Sequence, residues 1–373
     1  MTDWLDDARR IHGSLPVVDG HNDLPWALRI RAGSDLDAAD PCVALAGYHT
    51  DVPRLAVGGV GAQFWSVFVP AWDPTPFLTT VEQVDLVHRF TDRCDRLVSV
   101  DSAAEVAVAQ KGGLTASLMG AEGGQSIENS LTALRALRRL GVRYLTLTHA
   151  DTLDWADSAT DEARHGGLTT FGEEVVREMN RIGVIVDISH VSADTMRHAL
   201  AVTDRPLMAS HSSAFSIAPH PRNVEDDVLE MVRDNDGVVM VNFYPPFVDR
   251  AAAEQSLGRF AVARDLMATL GDDRAVEAEL ERMLEADPYP EVTVPDVVDH
   301  IEYIAEVAGV AHVGIGSDHD GVDAMPIGLE DVSTYPAITV ELLTRGWTEP
   351  DIRAVLGENA LRVLAANDGR VAE

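Results

Sequence analysis

The sequence predicts an α/β chain folded as a (β/α)8, TIM-like barrel, with insertions after its first and seventh strands. Three observations carry this. Eight short apolar, β-branched runs recur along the chain, most of them followed by a stretch with helical periodicity. The runs are nearly continuous in apolar residues rather than alternating, which is the pattern of parallel strands buried on both faces. Strands alternating with helices require crossover connections and hence a parallel sheet, and eight such units close a barrel. The alternative architecture is an open doubly wound sheet.

The runs are residues 17–23, 61–69, 114–120, 144–148, 184–189, 207–210, 238–243 and 313–317. Helices are expected between them. Residues 130–140 space Leu131, Leu134, Leu137 and Leu140 at three-residue steps, and residues 171–182 follow a similar pattern. Residues 192–201 open on a serine suited to cap a helix. Residues 296–308 carry Val297, Ile301, Ile304, Ala305 and Ala308 on one face. Two segments break the rhythm. Residues 35–57 form an irregular insertion. Residues 251–290 form a helical, acid-rich one with Met267, Leu270, Leu280 and Leu284 as its expected apolar contacts. Loops after strand C-termini build the active sites of barrels, so both insertions are candidate walls or lids. Surface decoration or an interface is the plain alternative. No repeat, low-complexity tract or linker divides the chain, so residues 1–373 are read as one domain.

Composition narrows the function. A hydrophobic fraction of 46% supports a sizeable core. Lys+Arg 29 against Asp+Glu 61 leaves a net charge of −32, which repels phosphate backbones and argues against a nucleic-acid partner. Cys42 and Cys94 are the only cysteines, neither in a CxxC pair, and no disulfide framework is expected from them. The acidic N-terminus lacks the order of a signal peptide, and no apolar run approaches the ~20 residues of a membrane span. A cytoplasmic protein without a membrane partner is the expectation.

The strand ends carry the chemistry. The first run finishes in Asp19-Gly20-His21-Asn22-Asp23, and residues two apart in a strand share a side. Later runs lead into Glu122, His149, His190, His211 and Asp318. Each residue alone has a dull reading: a hydrogen-bonded loop histidine, a carboxylate accepting backbone amides, an aspartate capping a helix. Jointly, on one rim, those readings fail, because Asp23, Glu122 and Asp318 would repel one another without a cation between them. Imidazole and carboxylate without thiolate suit Zn²⁺, with Mn²⁺, Co²⁺ or Fe²⁺ as substitutes. The donors suffice for two metals sharing one carboxylate and holding a hydroxide between them.

These residues resemble the renal, or membrane, dipeptidase family of the amidohydrolase superfamily. The motifs run through almost the whole chain in the family's order: Asp19-Gly20-His21-Asn22-Asp23, Gly120-Ala121-Glu122-Gly123, residues 144–149, Trp155-Ala156-Asp157-Ser158, Asp187-Ile188-Ser189-His190, Ser210-His211-Ser212, Pro221-Arg222-Asn223 and Gly316-Ser317-Asp318. The resemblance implies a barrel hydrolase of dipeptides with two Zn²⁺ per chain, often tolerant of a D-residue at the C-terminal position. It implies that His21 and Asp23 bind one metal, His190 and His211 the other, and that Glu122 bridges them. His149 would polarise the substrate carbonyl, Arg222 hold the free carboxylate and Asp318 shuttle the proton from the bridging water to the leaving amine. A homodimer is implied by the resemblance alone. One departure is His319, where the family commonly has phenylalanine between the two acids; it reads as a spectator or an extra pocket donor. The other histidines, among them His12, His49, His220 and His300, read as structural or solvated.

Amide hydrolysis needs a nucleophile at neutral pH, an electrophile on the carbonyl oxygen and an acid for the amine, and these residues supply each. Two rival readings remain. One is an amidohydrolase of N-acyl amino acids, lactones or other esters. The other is a non-catalytic metal- or peptide-binding protein.

Overall fold

The computed structural model describes residues 4–270 and 273–368. Its strands in chain order are β1 (Val17–Asn22), β2 (Val60–Phe68), β3 (Leu97–Ser99), β4 (Thr115–Glu122), β5 (Val142–Thr146), β6 (Ile185–Asp187), β7 (Met208–Ala209), β8 (Val238–Val241) and β9 (Val313–Ile315). Every pairing is parallel. β1 bonds β2 on one side and β9 on the other, β2 bonds β4, and the ladder continues through β5 to β9, so eight strands close a barrel. These eight are the expected ones. The ninth, β3, was not foreseen. It pairs only with the first residues of β4, on the side that β5 occupies higher up.

Period two explains where the polar groups go. The inner face of β2 carries Ala62, Phe64 and Ser66; that of β4 carries Ala116, Leu118, Gly120 and Glu122. Tyr144 then Thr146, Ile185 then Asp187, and Val238 then Met240 then Asn242 repeat the pattern. Each inward column is apolar at the bottom and polar at the carboxyl end, and register places Glu122, Thr146 and Asp187 on one level. The apolar lower layer packs with Ala360, Val363 and Leu364 of the C-terminal helix. A second core, including Trp65, Leu145 and Val239, lies between the strands and the surrounding helices.

The four expected helices are present. Helix Leu131–Arg139 is capped by Ser130 and helix Ala193–Val202 by Ser192; helices Thr170–Ile182 and Val294–Val307 are the other two. Residues 35–57 are irregular up to a short helix, Val52–Gly58. Arg54 folds this loop onto itself, donating to Asp51, Leu45 O and Tyr48 O. The second insertion is two helices, Arg250–Leu270 and Asp273–Ala286. Leu280 and Leu284 are half-buried there, but Leu270 is exposed, contrary to expectation, because it ends its helix facing solvent; the Met267 side chain lies outside the described residues.

A second correction concerns the cysteines. Cys42 and Cys94 form a disulfide, with Cα atoms 5.2 Å apart. Fifty-two positions separate them, and only the return of the first insertion against the end of helix Pro76–Arg93 brings them together. Among the described residues no helix is long and apolar enough to cross a membrane.

Candidate active site

Glu122 is the last residue of β4 and is buried in the barrel mouth. Its Oε2 accepts the Ser66 hydroxyl at 2.8 Å and lies 3.3 Å from His21 Nε2. Its Oε1 lies 3.0 Å from His190 Nε2, 3.5 Å from His211 Nε2 and 3.9 Å from His149 Nε2. The two oxygens of one carboxylate therefore face different histidines. Asp23 Oδ2 approaches His21 Nε2 to 3.1 Å. Ligand atoms of three triads gather within 4.8 Å: His21, Glu122 and His211; Glu122, His149 and His190; and His21, Asp23 and Asp318. Seven of the eight residues expected at the site thus converge, and Arg222 joins them through His211, as follows.

The loop after β7 is stapled by Asn223, whose amide donates to Ala218 O and Phe247 O while its carbonyl accepts from Ser213 N. This turns Arg222 inward, where it is 1% exposed. Its guanidinium donates to Ser212 Oγ and His211 O, both at 3.3 Å, and lies 5.0 Å over the Phe247 ring. Its Nε has no hydrogen-bond partner, and among the described residues no carboxylate reaches it at ion-pair distance. A buried guanidinium of this kind has the donors to receive an anion.

Further polar side chains hold these residues in place. Tyr144 OH sits 2.8 Å from His21 Nδ1. Gly120 makes this possible: a Cβ there would fall 1.9 Å from the Tyr144 ring. Ser210 Oγ sits 2.8 Å from His211 Nδ1, and Asn242 donates to Asp318 Oδ2 at 2.8 Å. Asp187 and Asp19 are fully buried and tie neighbouring strand ends together. His190 and Asp318 adopt φ of +67° and +69°, a strained choice for residues other than glycine and one that clusters at functional sites. Tyr144, Ser210, Asn242, Asp187 and Asp19 were not singled out as site residues. For Ser210, Asn242 and Asp187 the signal was a polar side chain at the top of an inward-facing column; Tyr144 lies lower in its column, and Asp19 shares its side of β1 with Val17 of the outer core.

Burial alone would raise the Glu122 carboxyl, but His21, His190 and His149 around it bring it well below the usual range. Burial, with Asp23 and Glu122 nearby and only His21 and Asn242 opposing, pushes Asp318 up to about 7. Burial lowers His149, with Arg222 adding to the effect. Burial also lowers Arg222, to about 10, although Asp318, Glu122 and Asp187 oppose this.

The donor set fits divalent cations. His21 Nε2 is buried without a hydrogen-bond partner of good geometry. His190 Nε2 and His211 Nε2 face each other at 2.8 Å. Bare imidazole nitrogens and crowded carboxylates are the groups a cation would join. Three further histidines lie as follows. His319 is buried and bonds Leu329 O at 3.1 Å, so it serves the core. His49 bonds Asp320, and His300 bridges Ala214 N and Val248 O.

A family model described as membrane dipeptidase (Peptidase family M19) matches residues 5–370. Among solved structures, the dipeptidase AC, a metallopeptidase of family M19, is 25% identical with a TM-score of 0.77, covering 95% of this chain and 99% of that one. A metallopeptidase from Rhodobacter sphaeroides, liganded with a phosphinate mimic of the dipeptide L-Ala-D-Ala, is 24% identical with a TM-score of 0.76, over 95% and 99%. The probable dipeptidase PvdM from Pseudomonas aeruginosa is 20% identical with a TM-score of 0.83, over 97% and 98%. Those two share the fold. With the family match spanning nearly the whole chain and its histidines and acids gathered at the barrel mouth, the chain belongs to the membrane dipeptidase family, the M19 metallopeptidases.

Proposed function

We propose that this chain hydrolyses the amide bond of dipeptides carrying a free C-terminal carboxylate, L-Xaa-D-Xaa included, with two Zn²⁺ bound at the barrel mouth. His21 and Asp23 would hold one ion, His190 and His211 the other, and Glu122 both. The ions supply, when bound, an acidified water and an electrophile for the carbonyl oxygen.

The protein's own groups do the rest. Arg222 grips the substrate carboxylate bidentately, which fixes the peptide's direction in the mouth. His149, kept neutral by burial, donates a hydrogen bond to the carbonyl oxygen as negative charge develops there. Asp318, anchored through Oδ2 by Asn242, offers Oδ1 to take a proton from the attacking water. It then passes that proton to the departing amine nitrogen. Burial raises its pKa to about 7 in the ion-free site, and bound cations would lower it toward the carboxylate form that accepts the proton.

One observation carries the reading: a buried guanidinium with no carboxylate at ion-pair distance among the described residues donates to His211 O, beside a carboxylate whose two oxygens face different histidines. The Cys42–Cys94 bond is of a kind that persists in oxidising compartments, so it weighs against the cytoplasmic expectation. The test is a dipeptide library with L,L and L,D members, assayed on metal-quantified protein. Hydrolysis of some members, abolished by chelation, is expected. Turnover of esters or lactones with no dipeptide hydrolysed would favour the rival amidohydrolase reading. Metal bound with no turnover of any kind would favour the binding protein.

A further inference from the structure

We propose that Asp187 is a positioning residue which, through the Ser210 hydroxyl, keeps the hydrogen of His211 on Nδ1 and leaves Nε2 bare toward the site. The inference rests on reading the mouth as a metal centre. It concerns a residue that touches neither substrate nor ion.

The hydrogen-bond network assigns the hydrogens. Asp187 Oδ1 accepts Ser210 N–H at 2.8 Å and Ser189 N–H at 3.1 Å. Its Oδ2 accepts the Ser210 hydroxyl at 2.7 Å and the Thr146 hydroxyl at 2.5 Å. Four donors on two oxygens leave no hydrogen on the carboxylate. Ser210 has one hydroxyl hydrogen, and the carboxylate takes it; the other oxygen in range, Ser189 Oγ, is 3.5 Å away. Against His211 Nδ1, at 2.8 Å, Ser210 Oγ is therefore left with the acceptor role. The hydrogen lies on Nδ1. Nε2 then faces Glu122 Oε1 and His190 with a free lone pair, the form a metal ligand requires.

Asp19 supports the reading by contrast. It makes the same staple across β1 and β9, accepting Ser317 N–H at 2.9 Å and the Ser317 hydroxyl at 2.7 Å. Ser317 Oγ, however, reaches backbone groups and no imidazole. Asp19 reaches a ring by another route, through the Tyr335 hydroxyl 2.6 Å from Asp19 Oδ2 and 3.5 Å from His319 Nδ1, and His319 is a core histidine; the Asp187 copy is the one wired through its serine to a histidine of the barrel mouth.

Asparagine at position 187 is close in shape but reverses the wiring. Two backbone N–H donors hold its carbonyl at the Oδ1 place, so its NH₂ meets the Ser210 and Thr146 hydroxyls. Ser210 must then accept, and its freed hydrogen points to His211 Nδ1. That moves the ring hydrogen to Nε2 and blocks ligation. Removing the Ser210 hydroxyl as well removes the misdirected donor.

The experiment compares wild type, Asp187→Asn, Ser210→Ala and the double variant by Zn²⁺ titration against a chromogenic chelator. Asp187→Asn should weaken one of two equivalents by about 10- to 100-fold, as loss of a histidine's outer partner does. The double variant should bind that equivalent more tightly than Asp187→Asn, a rescue that a purely structural role does not give. ¹⁵N imidazole shifts of metal-free wild type provide a readout independent of variant folding, with His211 protonated on Nδ1. Wild-type affinity in Asp187→Asn, no rescue in the double variant, or a hydrogen on Nε2 in wild type would each overturn the proposal. Wild type that binds no Zn²⁺ at all fails the metal-centre reading itself.

Discussion

His190 Nε2 and His211 Nε2 lie 2.8 Å apart, and His190 Nε2 is also 3.0 Å from Glu122 Oε1. They come from the ends of adjacent strands, β6 and β7, and both rings are held by burial. Burial and the Arg222 charge keep both imidazoles well below their usual pKa. Two neutral rings meeting nitrogen to nitrogen can share at most one hydrogen bond. A cation between them would take both lone pairs and turn the crowding into coordination.

Asp318 is the proposed proton carrier. Asp318→Asn keeps the shape and the Asn242 contact while removing the titrating oxygen. We expect kcat to fall by about 10²- to 10⁴-fold, the usual worth of a general acid–base, with metal content and melting temperature near wild type. The sign of the pH effect follows from the raised pKa. The carboxylate form exists above about pH 7 in the ion-free site, and bound cations draw that value lower. Wild-type kcat/KM should therefore rise with pH through an acid limb at or below pH 7, and the variant should lose that limb.

Arg222→Met replaces the buried guanidinium with a chain of similar length over Phe247. Loss of a charge-assisted contact costs about 1.5–3 kcal/mol. KM for dipeptides should rise by roughly 10- to 150-fold, while any neutral substrate is nearly unaffected. Steady-state kinetics with a dipeptide and its C-terminal amide make the comparison. An equal loss on both would remove Arg222 from substrate recognition.

The disulfide pins the first insertion to helix Pro76–Arg93. Closing a loop of 52 residues is worth about 4 kcal/mol in the chain-entropy account, an upper figure for a bond between otherwise ordered segments. Cys42→Ser/Cys94→Ser, or reduction of the wild type, should lower the melting temperature by several degrees. Thiol titration of unfolded, unreduced protein should find no free cysteine.

His300 couples stability to pH. Nδ1 accepts from Ala214 N and Nε2 donates to Val248 O, which uses the neutral ring completely. Burial lowers its pKa to about 4. A depressed pKa means the unfolded chain binds the proton first, so the stability is present above pH 6.5 and is lost as pH falls toward 4. The span is about 3 kcal/mol. Denaturant unfolding at pH 7 and pH 4.5 should show the loss, and His300→Gln should flatten the dependence while costing stability at pH 7.

The barrel was legible because strands buried on both faces have to be written in nearly continuous apolar residues. The site was legible because Glu122, His149, His190, His211 and Asp318 interrupt or follow those runs where hydrocarbon would otherwise be expected. Three features escaped. β3 buries only Leu97 of its three residues, so it lacks the continuous apolar run that marks the buried strands. The Cys42–Cys94 bond depends on how an irregular insertion folds back, which no local pattern records. Asp187 stood inside a quoted motif, yet its role depends on a serine hydroxyl 23 positions away that only the closed barrel brings within 2.7 Å. His319 was conspicuous in sequence and proves to be a core residue bonded to Leu329.

The central claim is that one carboxylate, Glu122, gathers two cations at the mouth of the barrel. Metal analysis of wild type and Glu122→Gln, reloaded under identical conditions, tests it most directly. The account predicts two equivalents of divalent transition metal per wild-type chain, and tight retention of no more than one in the variant. Two tightly held equivalents in Glu122→Gln, or none in the wild type, would contradict it.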